Sequence, residues 1–389
     1  MQRQDMHWQP VIRCVVKLVF VVAVSMALPN RGETVQPDHG LLAEVTAAWL
    51  QREATVAAVR VTWNQKDITP KGAINLRSPN IVKSGEIIPP SDAVHEGKGK
   101  LLIDAGQCRI TVERQIWSTR SKSFETTMID SVYEQGRLTT LTYISGNPAP
   151  TGTLQTNQWN PIALDVAQWP LRAAFRGSDP KVMNGANLGV FTLARKTTLN
   201  GIPMVELIQE RTELSGEAKI WVDPAQDYAA RRMEQYDREG QLQHRTIINT
   251  RRDSSRVWVP AAWSTVLYRG TKCIRAVETQ VVELSINPAI QPDAFQLDFP
   301  IGTRVTDSTG PTVRDYIIRE SDIRVIPQQE LGQKYVDLVR TEPGELVPGS
   351  RRGFWNRGRY VWWGLGLLAL GLVILVLRAV RRCTGKTDS

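Results

Sequence analysis

Histidine and cysteine are scarce in this chain, four of each among 389 residues. His39, His95 and His244 stand alone, with no ligand spacing around them, so no metal centre or cofactor is expected. The common catalytic signatures are missing as well. There is no G-x-S-x-G elbow, no H-E-x-x-H and no G-x-G-x-x-G, and Lys98-Gly99-Lys100 lacks the spacing and the Ser or Thr of a phosphate loop. Acidic residues occur singly along candidate strands. The expectation is a protein that is not an enzyme. A hydrolase with two carboxylates brought together by the fold stands as a third reading, because sequence does not give their separation.

An excess of positive charge is present overall, +9, but not where a nucleic-acid surface would need it. Residues 1–30 carry a net +2 and residues 351–389 a net +7, which leaves residues 31–350 neutral. The basic residues flank apolar ends. No nucleic-acid partner is expected, since such a surface needs its cations on the folded body.

Long apolar runs are confined to those two ends. Tyr360–Leu377 (YVWWGLGLLALGLVILVL) is uncharged and long enough to cross a hydrocarbon core of roughly 30 Å. Tyr360, Trp362 and Trp363 sit at its start, where interfacial aromatics belong. At the N-terminus, Arg3, Arg13 and Lys17 precede the apolar Leu18–Ala27, with small residues Ser25 and Ala27 before a cleavage point. That pattern predicts a signal peptide over residues 1–27, with an uncleaved anchor as the alternative. Basic residues are balanced across the C-terminal span, so the signal decides orientation. Residues 28–359 are expected outside the cytoplasm and residues 378–389 inside, in a single-pass protein of the inner membrane. Cys108 and Cys273 lie in the exported body, where they could form one disulfide or remain two separate buried thiols.

The body reads as short strands. Leu41–Glu53 has helical spacing at Leu42, Val45 and Trp49, and Val59, Val61 and Trp63 then alternate as a half-buried strand. Residues 64–98 read as a long loop. From residue 99, about a dozen strands follow one another, with turns such as Ala105-Gly106-Gln107, Asn200-Gly201 and Asp223-Pro224. Short connections imply antiparallel pairing. Asn160–Arg176 predicts a helical insert that Pro170 kinks or ends. Residues 28–310 are read as the β domain and residues 311–359 as an extension and linker.

The helix Leu41–Glu53 leading into Val59–Trp63, the segment KIWVDPAQDYAARRM (Lys219–Met233), Val257-Trp258-Val259-Pro260 with Trp263, and FQLDFPIGTRVTD (Phe295–Asp307) carry a resemblance. Together they resemble the LolA-like lipoprotein-carrier superfamily of bacterial envelopes, which includes the lipoprotein carrier, its outer-membrane acceptor and the sigma-E regulatory sensor. The resemblance spans roughly residues 40–307. It implies a mainly β (α+β) fold, a half-closed antiparallel barrel or curved sheet with covering helices, here joined to a C-terminal transmembrane helix. It also implies an apolar concavity for an acyl chain, a lipid or a lipidated partner. Strand alternation alone points Val61, Trp63, Ile103, Ile110, Val112, Leu207, Ile220, Val222 and Phe295 inward. The competing reading is an envelope sensor or assembly scaffold with no bound ligand.

Overall fold

The computed structural model describes residues 38–77, 86–118, 121–156, 166–175, 191–212 and 216–340. The signal and span readings, the tail and the linker after residue 340 lie outside the described residues. Among those described, no helix is long and apolar enough to cross a membrane.

Helix α1 (His39–Thr55) starts at Asp38, whose carboxylate accepts the Leu41 N–H at 3.0 Å. This cap satisfies one of the N–H groups that a helix leaves open at its first turn. Leu41, Val45, Trp49 and Arg52 are buried along one side. Strand β1 (Ala58–Thr69) follows and becomes the centre of the sheet. On one side of it lie β2 (Ala93–Asp104), β3 (Gln107–Ser118), β4 (Ser123–Glu134), β5 (Arg137–Ile144) and β6 (Thr151–Thr156). A second meander follows: β7 (Leu193–Leu199), β8 (Ile202–Gln209), β9 (Ala218–Asp223), β10 (Ala229–Tyr236), β11 (Leu242–Arg252), β12 (Trp258–Arg269) and β13 (Lys272–Ile286). Its last strand returns to pair with β1, so the β1–β13 ladder joins the two halves. Beyond β6 the sheet is extended by β14 (Arg304–Ser308), β15 (Arg314–Ile318) and β16 (Ile323–Ile326). The result is one curved, unclosed 16-stranded sheet with β7 and β16 at its edges. It runs on past residue 310, where the sequence reading placed an extension.

Tight turns fix the register. Gln135-Gly136 (φ 48° and 81°) and Asn200-Gly201 (φ 52° and 81°) both place two consecutive residues in the left-handed region. That is the two-residue hairpin geometry that matches strand twist, and glycine takes its second position without strain.

Three expectations are corrected here. Strand β1 does not end at Trp63. It continues to Thr69, and β2 begins at Ala93, so the loop is shorter than residues 64–98. Gln65, Asp67 and Thr69 continue the inward alternation of Val59, Val61 and Trp63, but with polar side chains that hide the period. A short helix, α2 (Ala73–Arg77), packs in the remaining connection. The helical insert is the second case. Its described part is a 3-10 turn, Val166–Gln168, running into helix α3 (Trp169–Phe175). Pro170 sits in the first turn of α3, where a missing N–H is not needed, so it begins a helix instead of ending one. The third is antiparallel pairing throughout: the segment after β13 crosses the outer face of the sheet, and β14 then pairs in parallel with β6. This crossover carries a 3-10 turn at Pro292–Phe295. Arg109 holds it down, donating to the Ala294 and Gln296 carbonyls at 2.9 and 3.1 Å while its other nitrogens bind Asp130.

Candidate ligand-binding face

The inner face of the sheet, the face covered by α1 and by residues 166–175, holds one continuous apolar cluster. Val61 and Trp63 on β1, Ile103 on β2, Ile110 and Val112 on β3, Leu207 on β8, and Ile220 and Val222 on β9 all belong to it. Strand β8 lies six positions from β1 in the sheet. On a flat sheet that is roughly 30 Å. Curvature and the covering helices bring the two ends into one cluster. The helices contribute Leu41, Val45 and Trp49 from α1, and Leu171, Ala173 and Phe175 from α3.

Phe295 is not part of it. It packs with Leu102 and Val132 on the outer face. Strand alternation misplaced it because residue 295 lies on the crossover and not on a strand. Nor do Cys108 and Cys273 form a disulfide. Cys108 pairs in the ladder with Ile103, which faces Val59 at one end of β1. Cys273 lies past Ala276, which faces Ile68 at the other end. Nine residues of extended chain between those levels separate the two sulfurs by roughly 30 Å, far beyond disulfide reach.

Hydrogen bonds to the Asp227-Tyr228 turn and to Asn287 hold α1, the Tyr228 hydroxyl donating to Glu44 and the Asn287 side chain to the Thr55 carbonyl at 2.9 Å. The Trp49 indole N–H donates to the Tyr228 carbonyl at 2.8 Å, and the Arg52 guanidinium donates to the Asp227 carbonyl. Residues 166–175 form a strap across the middle of the face. The Trp263 indole N–H donates to the Ala167 carbonyl, and Trp169 meets the His244 ring edge-on at 4.6 Å.

Along β1 the inner face changes character. Its first half is apolar. Beyond Trp63 come Gln65, Asp67 and Thr69, all buried. The Trp63 ring lies against Gly99, where an added Cβ would come within 2.1 Å of the ring. No other residue fits there without moving the indole. Trp63 and Gln168 both donate to the Gln65 side-chain oxygen, each at 3.3 Å. Asp67 pairs with Arg275 on β13, where two of its contacts are 2.9 Å, with both side chains only 8% exposed. Thr246 and Thr265 share a hydroxyl bond at 2.9 Å. Arg172, on α3, is 4% exposed. Burial pushes its guanidinium down to about 10, with the nearby Cys108 acting in the opposite direction.

Sequence reasoning missed this polar half. The signal for Gln65 and Asp67 was available, since the alternation of β1 simply continues through them. Gln168 and Arg172 had no comparable signal, because a polar residue on a short helix is ordinarily read as solvated.

A separate pocket of about 250 Å³ opens on the outer face, lined by Lys100, Leu102, Arg109, Thr111 and Ala294. Arg109 is already committed to Asp130 and to the crossover. This pocket is shallow and cationic, and it is the inner face that offers an extended apolar surface.

No protein-family model matches the chain, and no curated protein matches it. Solved structures do. A domain assigned to outer-membrane lipoprotein sorting from Vibrio parahaemolyticus is 12% identical, covering 65% of this chain and 95% of that one, with a TM-score of 0.38. A DUF1329 family protein from Desulfovibrio piger is 9% identical over 67% of this chain and 98% of its own, also with a TM-score of 0.38. A LolA superfamily protein from Nitrosomonas europaea is 8% identical over 65% of this chain and 98% of its own, with a TM-score of 0.35.

Proposed function

We propose that this chain is a non-enzymatic envelope protein that receives an acyl chain, a lipid or a lipidated partner on its inner face. One observation carries the reading: strands β1–β5 and β7–β13 all contribute to one apolar cluster on the inner face, and among the described residues its cover is one 17-residue helix and a short strap. A cover this small over so broad a surface can be lifted by breaking few bonds. Among the described residues, the strap is fastened by the Trp263–Ala167 and Gln168–Gln65 hydrogen bonds, by the Trp169–His244 ring contact and by apolar packing. An acyl chain is the kind of ligand that would replace that contact without needing polar partners along its length.

The same proposal has the body anchored through residues 360–377 on the exported side of the inner membrane. The test of function is extraction and mass spectrometry of lipids from the full chain, purified in non-ionic detergent and washed. Stoichiometric lipid or acyl-bearing species support the reading; their absence in repeated preparations, with no uptake of added lipid, refutes it. A second reading, a sensor or scaffold without ligand, is favoured by one fact: Val61, Leu207 and Val222 are fully buried under the chain's own side chains.

A further inference from the structure

The strap carries two polar side chains under an otherwise apolar cover. Gln168 and Arg172 are four residues apart, a spacing that places helical side chains on one side. They are 1% and 4% exposed. Neither is fully matched among the described residues. The Gln168 side-chain oxygen accepts nothing, and Nε and Nη2 of Arg172 donate to nothing. Across the seam, the Gln65 side-chain nitrogen and the Thr279 hydroxyl are also buried without a partner. These two residues are cross-strand neighbours on β1 and β13. Native interiors match nearly all such groups, and two unmatched nitrogens on one buried guanidinium are the strongest demand among them for a further partner.

Arg172 is the most demanding member. Burial lowers its pKa to about 10, which still leaves it protonated at neutral pH. Among the described residues the group that acts on its charge is Cys108, a thiol on the inner face, and a neutral thiol does not balance a cation. A buried charge is expensive unless it is paired, and a guanidinium is matched best by the oxygens of a carboxylate or a phosphate.

We propose that Arg172 is the headgroup-recognising residue of the inner face, binding the anionic oxygens of an amphiphile whose chain lies on the apolar cluster. This rests on the acyl-binding reading above and names the ligand class: an amphiphile with a carboxylate or phosphate head. Hydrogen bonds to ionised groups are stronger than neutral ones, and losing one from a buried site reduces affinity by about ten- to a hundredfold.

The experiment uses the full chain in non-ionic detergent and three labelled probes: palmitate, hexadecanol and dipalmitoyl phosphatidate. Retention is measured for the wild type, Arg172→Met and Arg172→Lys, with circular dichroism confirming the fold of each. The expected result is an anionic probe held at least about tenfold more tightly than hexadecanol by the wild type. Arg172→Met should erase that preference while holding hexadecanol as before, and Arg172→Lys should keep part of it. A preference for palmitate assigns a fatty carboxylate, and a preference for phosphatidate assigns a phospholipid phosphate. Equal retention of palmitate, phosphatidate and hexadecanol by the wild type overturns the anion site but leaves acyl binding standing. An undiminished preference in Arg172→Met overturns the assignment of that site to Arg172. Retention of none of the three overturns both. Should Arg172→Met not fold, the wild-type comparison and Arg172→Lys decide.

Discussion

Asp67→Asn tests the joint on which the whole inner face depends. Asp67 and Arg275 bridge β1 and β13, the ladder that unites the two meanders, and both side chains are 8% exposed. The amide keeps the shape of the carboxylate but removes its charge, so the buried guanidinium loses its charge-balanced contact with β1. Breaking a buried pair in this way costs about 3–5 kcal/mol. For a large domain each kcal/mol lowers the melting temperature by about 2–4 °C, so a fall of roughly 6–20 °C is expected. The companion is the double replacement Asp67→Leu with Arg275→Leu, which removes both charges and should lie close to the wild type. Thermal unfolding of the full chain in non-ionic detergent, followed by the β signal in circular dichroism, provides the measurement. Asp67→Asn melting within about 2 °C of the wild type would refute the reasoning. So would a double variant as unstable as the single one, because the loss would then not come from an unbalanced charge.

Leu207→Trp separates the two functional readings: in a permanently packed core the added volume costs about 1–3 kcal/mol, and no lipid should be found before or after. If the strap yields to acyl chains, the indole should take the place of the chain, and mass spectrometry should show lipid lost from the variant with little change in melting. Glu234 is 3% exposed. Burial alone would raise its pKa, but the Tyr236 hydroxyl, Arg232 and Arg245 outweigh that and hold it below the ordinary 4.5. Its stabilisation is therefore present above about pH 4.5 and lost as pH falls through the depressed folded value. Glu234→Gln should flatten the acid limb of the stability–pH curve, and an unchanged limb would show that other carboxylates set it. Orientation is checked with a membrane-impermeant thiol reagent, which should fail to label Cys383 in intact cells and label it after lysis; labelling from outside inverts the topology.

The alternating apolar strands and the two-residue turns were legible in the sequence because both are local. Asn200-Gly201 and the Val59-Val61-Trp63 alternation each report a backbone state without reference to the rest of the chain. What escaped depends on distant partners. The inward run of Gln65 and Asp67 looks like a loop until Arg275, some two hundred residues later, supplies the counter-charge. Strands β14, β15 and β16 are four or five residues long, and Arg304-Val305-Thr306-Asp307 shows little periodicity on its own. Strand β6 earns its place from β5 and β14 on either side. Phe295 has the composition of a core residue and is one, but on the opposite face, where only the path of the crossover puts it. The eight inner-face residues were placed by alternation, whereas Arg172 and Gln168 needed the position of the strap.

The β1–β13 ladder also has a consequence in time. Val59 pairs with Ile286, so the central strand waits for a partner made more than two hundred residues later. Until that partner arrives, one edge of a formed β1 exposes its amide and carbonyl groups to any strand that passes. Loop closure over such a distance is slow, and topologies dominated by distant pairings fold slowly. Any part of the first meander that forms before β13 arrives has that edge open. A chain truncated before residue 272 should therefore aggregate more than one truncated after residue 286, because only the second carries the strand that covers that edge.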